Sequence, residues 1–212
     1  IDITLYDNYN HINHNKRKII HDNIQPIITA VFSWTTTSIT NNGIYNTAIQ
    51  VEVNDTNFSG LTNNGTPLNG TSFLFNNQGV YTLSATDNAG NATGLSFEID
   101  TTPPSITNIQ PSSGAIINTS LLTLSWTTQE NTTKIKSQKH YVYSGIILQA
   151  SGTVQAGITT QTLPNINNGT YKRQIVLEDT AGNITTGEAS NIKFTKIPSV
   201  FITTPAYEYS TK

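Results

Sequence analysis

The sequence contains neither cysteine nor methionine in its 212 residues. Without cysteine, no disulfide framework, zinc–thiolate site or cysteine nucleophile can form. The absence of an initiator methionine, and of a basic segment leading into an apolar one, indicates a mature form or a fragment. No run approaches 18 apolar residues, so the sequence predicts no membrane-spanning helix.

Charged residues are also scarce, at 11% of the chain, with 11 basic against 13 acidic residues. A nucleic-acid-binding surface needs a basic stripe, so we expect no nucleic-acid partner. No Lys or Arg occurs between Lys18 and Lys134. Residues 25–101 are therefore acidic and residues 102–196 are net basic. This asymmetry favours contact between neighbouring units, worth a few tenths of a kcal/mol per exposed pair.

Thr (35) and Asn (25) together exceed a quarter of the residues. A β-branched excess favours strands, whereas Asn and Gly favour turns. The sequence has no G-x-S-x-G motif, and His140 is the sole histidine beyond the first 24 residues. Because the acidic residues are scattered among repeats, a pair of carboxylates facing across a cleft is not expected either. The sequence therefore predicts no enzyme.

Internal repeats are the strongest signal in the sequence. The segment GVYTLSATDNAGN at 79–91 returns as GTYKRQIVLEDTAGN at 169–183, and FSWTTT at 32–37 returns as LSWTTQ at 124–129. Asp87 and Asp179 are 92 residues apart, as are Trp34 and Trp126. We therefore expect each tryptophan to lie on an early strand in the core of its own unit.

Partial copies flank the two whole units. ITLYDNYNH at 3–11 resembles the end of a unit, and SVFIT at 199–203 resembles a beginning. The predicted organisation is a terminal hairpin of a preceding or partner-completed unit at 1–24, whole units at 25–101 and 102–196, and the opening strand of a further unit at 197–212.

Short alternating runs separated by turn residues fill both whole units, as in Ile49, Val51 and Val53. About seven strands in roughly 80–95 residues is the proportion of an immunoglobulin-like sandwich. Tyr81 and Tyr171 each follow a glycine by two residues, where a tyrosine corner is expected. The predicted fold class is all-β, with tandem immunoglobulin-like β-sandwiches.

These motifs resemble the tandem immunoglobulin-like and fibronectin-III-like modules of large bacterial surface proteins and adhesins. The resemblance implies an extracellular, cell-surface location and a role as a spacer or adhesive rod. Where such linkers have DTTPP, the second unit has FTKIPS. The residues that carry the resemblance are Gly79, Tyr81, Asp87, Gly90, Asn91, Asp100, Thr101, Thr102, Pro103 and Pro104, then Trp126, Gly169, Tyr171, Asp179, Gly182, Asn183 and Pro198.

The D-x-A-G-N motif has two interpretations. In one it is a hairpin turn, capped by the Asp side chain and closed by a left-handed Gly. In the other, Asp87, Asn91 and Asp100 supply hard oxygen ligands to Ca²⁺. The resemblance implies such calcium at domain junctions, and Asp100 precedes the Pro103-Pro104 junction. No other cofactor is expected.

Two further groups of residues are candidates for binding sites. His11, His14 and His21 lie in one polar stretch, in which His11 and His14 form an H-x-x-H pair that can bind a metal. This spacing alone is a weak signal and leaves a third ligand unspecified, so a solvated loop is the favoured interpretation. Tyr141 and Tyr143 are the candidates for a glycan- or host-protein-binding surface at the loops of one sandwich end, or else they form a pair on one strand.

The terminal segments also suggest a route to assembly. If the chain is a complete subunit, the strand at 197–204 of one copy can complete the sandwich begun by residues 3–20 of the next and so build a filament. The alternative is that the chain boundaries cut through neighbouring domains.

Overall fold

A computed structural model describes residues 5–6, 12–13 and 22–198 of the chain. Two compact units are formed: unit 1, Ile1–Ile99, and unit 2, Asp100–Lys212. The described residues are strands, turns and connecting segments, and no helix among them is long and apolar enough to cross a membrane. The strands in chain order are β1 (Leu5–Tyr6), β2 (Ile12–Asn13), β3 (Ile27–Phe32), β4 (Gly43–Tyr45), β5 (Ile49–Asn54), β6 (Phe58–Asn63), β7 (Thr66–Leu68), β8 (Ser72–Phe75), β9 (Gly79–Asp87), β10 (Ala92–Ile99), β11 (Ser105–Gln110), β12 (Ile116–Thr119), β13 (Leu122–Gln129), β14 (Ile135–Ser144), β15 (Ile147–Val154), β16 (Thr160–Leu163), β17 (Gly169–Asp179) and β18 (Ile184–Lys196).

Apart from the short pair of β1 with β2, the described part of unit 1 forms a three-stranded and a five-stranded sheet. The three-stranded sheet has the order β3-β5-β8, and both of its pairs are antiparallel. The five-stranded sheet has the order β4-β10-β9-β6-β7. Its pairs are antiparallel except that β4 runs parallel to β10. After β3 on one of these sheets, the chain crosses to the edge of the other with β4.

Unit 2 repeats this topology strand for strand. Its three-stranded sheet has the order β11-β13-β16, and its five-stranded sheet has the order β12-β18-β17-β14-β15. The parallel pair recurs between β12 and β18. In each unit, both sheets contribute side chains to one hydrophobic core. This is an immunoglobulin-like sandwich present twice in tandem, which confirms the predicted fold class.

The core of unit 1 follows the alternation of its strands. Ile49 and Val51 are fully buried on β5, whereas Glu52 between Val51 and Val53 is exposed. An aromatic cluster joins the sheets: the ring of Phe75 lies 4.8 Å from that of Tyr81 and 5.6 Å from that of Phe97, measured between centroids. Burial of these side chains supplies most of the stabilisation of such a small unit.

Trp126 is buried in the core of unit 2, as predicted, but Trp34 is not a core residue. Trp34 lies in the turn after β3, is 98% exposed and has a φ of 66°. Trp126 lies on β13, the central strand of the three-stranded sheet of unit 2. The equivalent central strand of unit 1 is β5, which carries no tryptophan. The prediction of a core position for Trp34 is therefore wrong, because Phe32 ends its strand and the next residues turn.

The two tyrosine corners are confirmed. The hydroxyl of Tyr81 donates to the carbonyl of Asn77 at 2.7 Å, and that of Tyr171 donates to the carbonyl of Asn167 at 2.7 Å. Each tyrosine is the third residue of its strand, β9 or β17. The hydroxyl ties the strand to the connection that precedes it.

Several predictions concern the ends of the chain. Of the hairpin predicted at 1–24, the structure describes the antiparallel pairing of β1 with β2 and residues 22–24. The remainder of 1–21, including His11, His14 and His21, lies outside the described residues, as does nearly all of the strand predicted at 197–212.

Candidate functional site

The D-x-A-G-N turn between β9 and β10 is capped by its own first side chain. Asp87 Oδ1 accepts the backbone N–H groups of Ala89 and Asn91, each at 2.8 Å, and Oδ2 accepts Asn91 Nδ2 at 2.7 Å. Gly90 adopts a φ of 92°, which a side chain would strain. Burial opposes ionisation of Asp87, but the bonds from Asn91, Ala89 and Gly90 prevail and hold its pKa below the usual value.

The turn between β17 and β18 has the same geometry. Asp179 Oδ1 accepts the N–H of Asn183 at 2.8 Å, and Oδ2 accepts Asn183 Nδ2 at 2.8 Å. Gly182 has a φ of 94°. The hairpin-turn interpretation of the motif therefore describes both copies.

The last Asn of each turn also holds the segment that leads into its unit. We call residues 22–26 and 100–104 the lead-in segments. Asn91 Nδ2 donates to the carbonyls of Asp22 at 3.1 Å and Ile24 at 3.3 Å. Asn183 Nδ2 donates to the carbonyls of Asp100 at 2.8 Å and Thr102 at 3.5 Å. One amide group thus joins the turn to the lead-in segment in each unit.

The lead-in segments are shaped by their own aspartates. Asp22 Oδ1 accepts the N–H of Ile24 at 3.0 Å, and Asp100 Oδ1 accepts the N–H of Thr102 at 2.9 Å. Each Asp stands four residues before a buried proline, Pro26 or Pro104. Sequence reasoning missed Asp22 as the counterpart of Asp100, although the spacing DNIQP and DTTPP was available to show it. We call the Asp–Asn turn together with its lead-in segment the clamp.

The two clamps differ in burial. In unit 2, Asp100 and Asp179 are fully buried and Asn183 is 8% exposed. In unit 1, Asp87 is buried, but Asn91 and Asp22 are half-buried. Hydrogen bonds that water can replace contribute less to stability, so the clamp of unit 2 is the stronger of the two.

The residues predicted to bind calcium belong to the clamps. Both carboxylate oxygens of Asp87 accept N–H groups, as described above, whereas Asp100 Oδ2 is buried without a hydrogen-bond partner. Among residues 5–6, 12–13 and 22–198, no group of three or more His, Asp or Glu side chains could hold a metal ion. Calcium at Asp87, Asn91 and Asp100 stays a prediction.

His140 lies inside unit 2. It is 4% exposed, and its ring packs directly on Gly152, where an added Cβ would come within 2.7 Å of Cε1. Burial and then the charge of Arg173 lower its pKa. Arg173 is itself fully buried, donates to the carbonyls of Gln110 and Ser125, and has its pKa lowered to about 10 by burial. Neither group faces solvent as a catalytic side chain would.

Tyr141 and Tyr143 form a pair on one strand. Both lie on β14, half-buried, with ring centroids 6.4 Å apart and planes at 19°. Of the two interpretations of these residues, the strand pair is the one that the structure shows. They do not lie on a loop at a sandwich end.

No family model matches the sequence, and no curated relative is found. The chain is similar in structure to the fibronectin(III)-like modules of Clostridium thermocellum CbhA, with 10% identity over 79% of this chain and 94% of that chain and a TM-score of 0.42. It is also similar to three N-terminal domains of the Highly Immunogenic Outer Capsid protein of bacteriophage RB49, with 11% identity over 72% and 56% and a TM-score of 0.38. A further similarity is to the adhesin InvE of Yersinia pseudotuberculosis, with 13% identity over 78% and 58% and a TM-score of 0.27. The chain spans less than two thirds of the last two structures.

At these identities the likeness concerns the fold alone, and the strand order of both units establishes tandem immunoglobulin- or fibronectin-III-like modules.

Proposed function

We propose that the chain is a non-enzymatic structural or adhesive segment of an extracellular bacterial surface protein and acts as a semi-rigid rod. The observation that carries this proposal is the clamp. Each unit uses the amide of the last Asn of its D-x-A-G-N turn, Asn91 or Asn183, to hold its own lead-in segment against that turn. A feature that recurs where the chain enters each unit serves the connection between modules.

The connection between the two units is short. Strand β10 ends at Ile99, and the carbonyl of the next residue, Asp100, already accepts a hydrogen bond from Asn183. Pro103 and Pro104 then fix their own φ and restrict the residue before them to extended backbone. A flexible linker needs several residues with independent φ and ψ, which this connection lacks. These features support a stiff junction.

The chemistry of the described side chains supports a non-enzymatic role. His140 and Arg173, whose pKa values are lowered chiefly by burial, are buried inside unit 2. The acidic side chains with lowered pKa are accounted for by structure: Asp87 caps a turn, and Glu178 and Glu188 pair with Lys136 and Lys172.

Junction stiffness can be measured with two spin labels, since a chain without cysteine accepts labels at chosen sites only. Val80→Cys in unit 1 and Ile146→Cys in unit 2 place labels at positions that are 60% and 97% exposed. We expect double electron–electron resonance on the full chain to give a single narrow distance distribution. Inserting Gly-Ser-Gly-Ser between Ile99 and Asp100 should broaden it, and Asn183→Ala should broaden it in part.

A broad distribution for the parent chain, indistinguishable from that of the insertion variant, overturns the rod. A narrow distribution that Asn183→Ala does not change leaves the rod in place but removes the clamp as its cause. Circular dichroism on each variant verifies that both units remain folded.

Assembly of a filament by strand complementation is a finer form of the same proposal. It concerns residues 3–20 and 197–204, most of which lie outside the described part of the chain. If complementation operates, the full chain forms filaments in negative-stain electron microscopy and a chain lacking 197–212 stays monomeric by light scattering. A truncated chain that still polymerises contradicts it.

The alternative role, a glycan- or host-protein-binding module, was expected to use loops at a sandwich end. The tyrosines proposed for it lie on strand β14 instead. The specific observation that favours glycan binding comes from a different aromatic residue, Trp34 in the turn after β3, which is 98% exposed.

A further inference from the structure

Trp34 occupies a position that folding alone does not explain. Its side chain is 98% exposed, although tryptophan gains more from burial than most residues. Its backbone has a φ of 66°, a left-handed conformation that is strained for a bulky residue. A residue that is both strained and unburied is a candidate for function.

The turn that presents Trp34 is fixed by hydrogen bonds. Phe32 N donates to the carbonyl of Thr37 at 3.1 Å, and Thr35 N and Oγ1 donate to the carbonyl of Phe32 at 3.0 Å each. Thr37 N donates to Thr35 Oγ1 at 3.2 Å, and Val31 forms a bridge with Ser38 beyond the turn. The indole is therefore carried by an ordered turn, which lowers the entropy cost of binding to it.

A depression of about 440 Å³ lies beside the indole, on the solvent face of β3 and β5. The hydroxyl-bearing residues Thr29, Thr36 and Ser38 line it, with Gln50 and Glu52 from β5. The Gln50 amide is held in place because its Nε2 donates to Ser72 Oγ at 2.9 Å. Trp34 and several residues whose side chains donate or accept hydrogen bonds thus border one concave surface.

This combination matches the chemistry of a sugar. A pyranose presents a face of C–H groups that stacks on an indole, and hydroxyls that pair with hydroxyl, amide and carboxylate groups. Among the described residues that line the depression, Glu52 is the one with a charge, and no Lys or Arg occurs between Lys18 and Lys134. An acidic sugar would therefore find no counter-charge within this stretch of the chain.

We propose that unit 1 binds a neutral oligosaccharide in this depression, with Trp34 as the stacking platform and Gln50 and Glu52 as the polar contacts that orient it. This binding activity goes beyond the structural role proposed above and does not depend on it.

Tryptophan quenching tests the proposal on the full chain. Of the two tryptophans, Trp34 is exposed and Trp126 is 3% exposed, so acrylamide quenches chiefly Trp34. The probes are neutral oligosaccharides of glucose, xylose, mannose and galactose, first on an array and then in solution. We expect at least one series to bind and to shield Trp34 from acrylamide.

Trp34→Ala should weaken that binding at least about tenfold, and Trp34→Phe should weaken it less. Val80→Ala, which removes another exposed apolar side chain of unit 1, is the matched control and should bind as the parent does. Because Trp34 is exposed, the variants should keep the parent's circular dichroism.

Three outcomes overturn the proposal. The first is that no neutral series binds. The second is binding that Trp34→Ala leaves unchanged, which would place the sugar elsewhere. The third is shielding of Trp34 only by a lysine-containing peptide, weakened by salt, which would assign Trp34 and Glu52 to a cationic ligand.

Discussion

Replacing Asn183 by alanine removes the clamp of unit 2 while leaving its turn backbone intact. The side chain donates to Asp179 Oδ2 and the Asp100 carbonyl, each at 2.8 Å, within buried surroundings. A hydrogen bond to a charged group contributes about 1.5–3 kcal/mol, and a neutral one about 1 kcal/mol. The contact with Thr102 at 3.5 Å adds little. We therefore expect a loss of about 3 kcal/mol in the free energy of unfolding of unit 2.

The assay is urea unfolding followed by tryptophan fluorescence. Trp126 is buried in unit 2 whereas Trp34 is exposed in the folded chain, so the fluorescence change reports unit 2. With a slope of about 1–3 kcal/mol per molar urea, the midpoint should fall by at least about 1 M. Asn91→Ala, the same change in the half-buried clamp of unit 1, is the matched control and should leave this midpoint unchanged. A loss below about 0.5 kcal/mol for Asn183→Ala, within the range of ordinary surface substitutions, would refute the assignment of the clamp.

Three further predictions address single residues. Trp34→Gly should stabilise unit 1 by about 1 kcal/mol in calorimetry, because glycine relieves the strain at a φ of 66°, whereas Trp34→Ala should give no such gain. Burial and Arg173 lower the pKa of His140, so the unfolded histidine takes up a proton near pH 6.5 and the folded one only at lower pH. Stability of unit 2 should therefore fall as the pH is lowered below about 6.5, and His140→Gln should flatten this dependence of the Trp126 midpoint. Calcium at the predicted site should raise the thermal midpoint above that in EDTA, and Asp100→Asn should abolish the difference; equal midpoints with and without calcium contradict the prediction.

Features set by a few neighbouring residues could be predicted from the sequence. The capped turns at 87–91 and 179–183 follow from the Asp side chain and the glycine that accepts a positive φ. The burial of Ile49, Val51 and Val53 follows from alternation along a strand with one face against the core. The positions of Tyr81 and Tyr171 follow from their spacing after glycine.

Features that depend on where a strand ends could not be predicted from the sequence. FSWTTT and LSWTTQ share a pattern, yet Trp126 continues strand β13, whereas the chain turns after Phe32 through bonds between Phe32, Thr35 and Thr37. The clamps could not be predicted for a different reason, because Asn183 and Asp100 are 83 residues apart in the chain and come into contact only in the folded unit. Local pattern carries no information on such a distant hydrogen bond.

The parallel pairs at the sheet edges have a mechanical consequence. Once the first strand of unit 2, β11, has been pulled away, tension on the two ends draws β12 towards its start and β18 towards its end, so their hydrogen bonds are sheared together instead of being opened one at a time. The same holds for β4 and β10. Four residue pairs join β12 to β18, and three join β4 to β10. If the chain is pulled by its two ends, unit 1 should therefore unfold before unit 2.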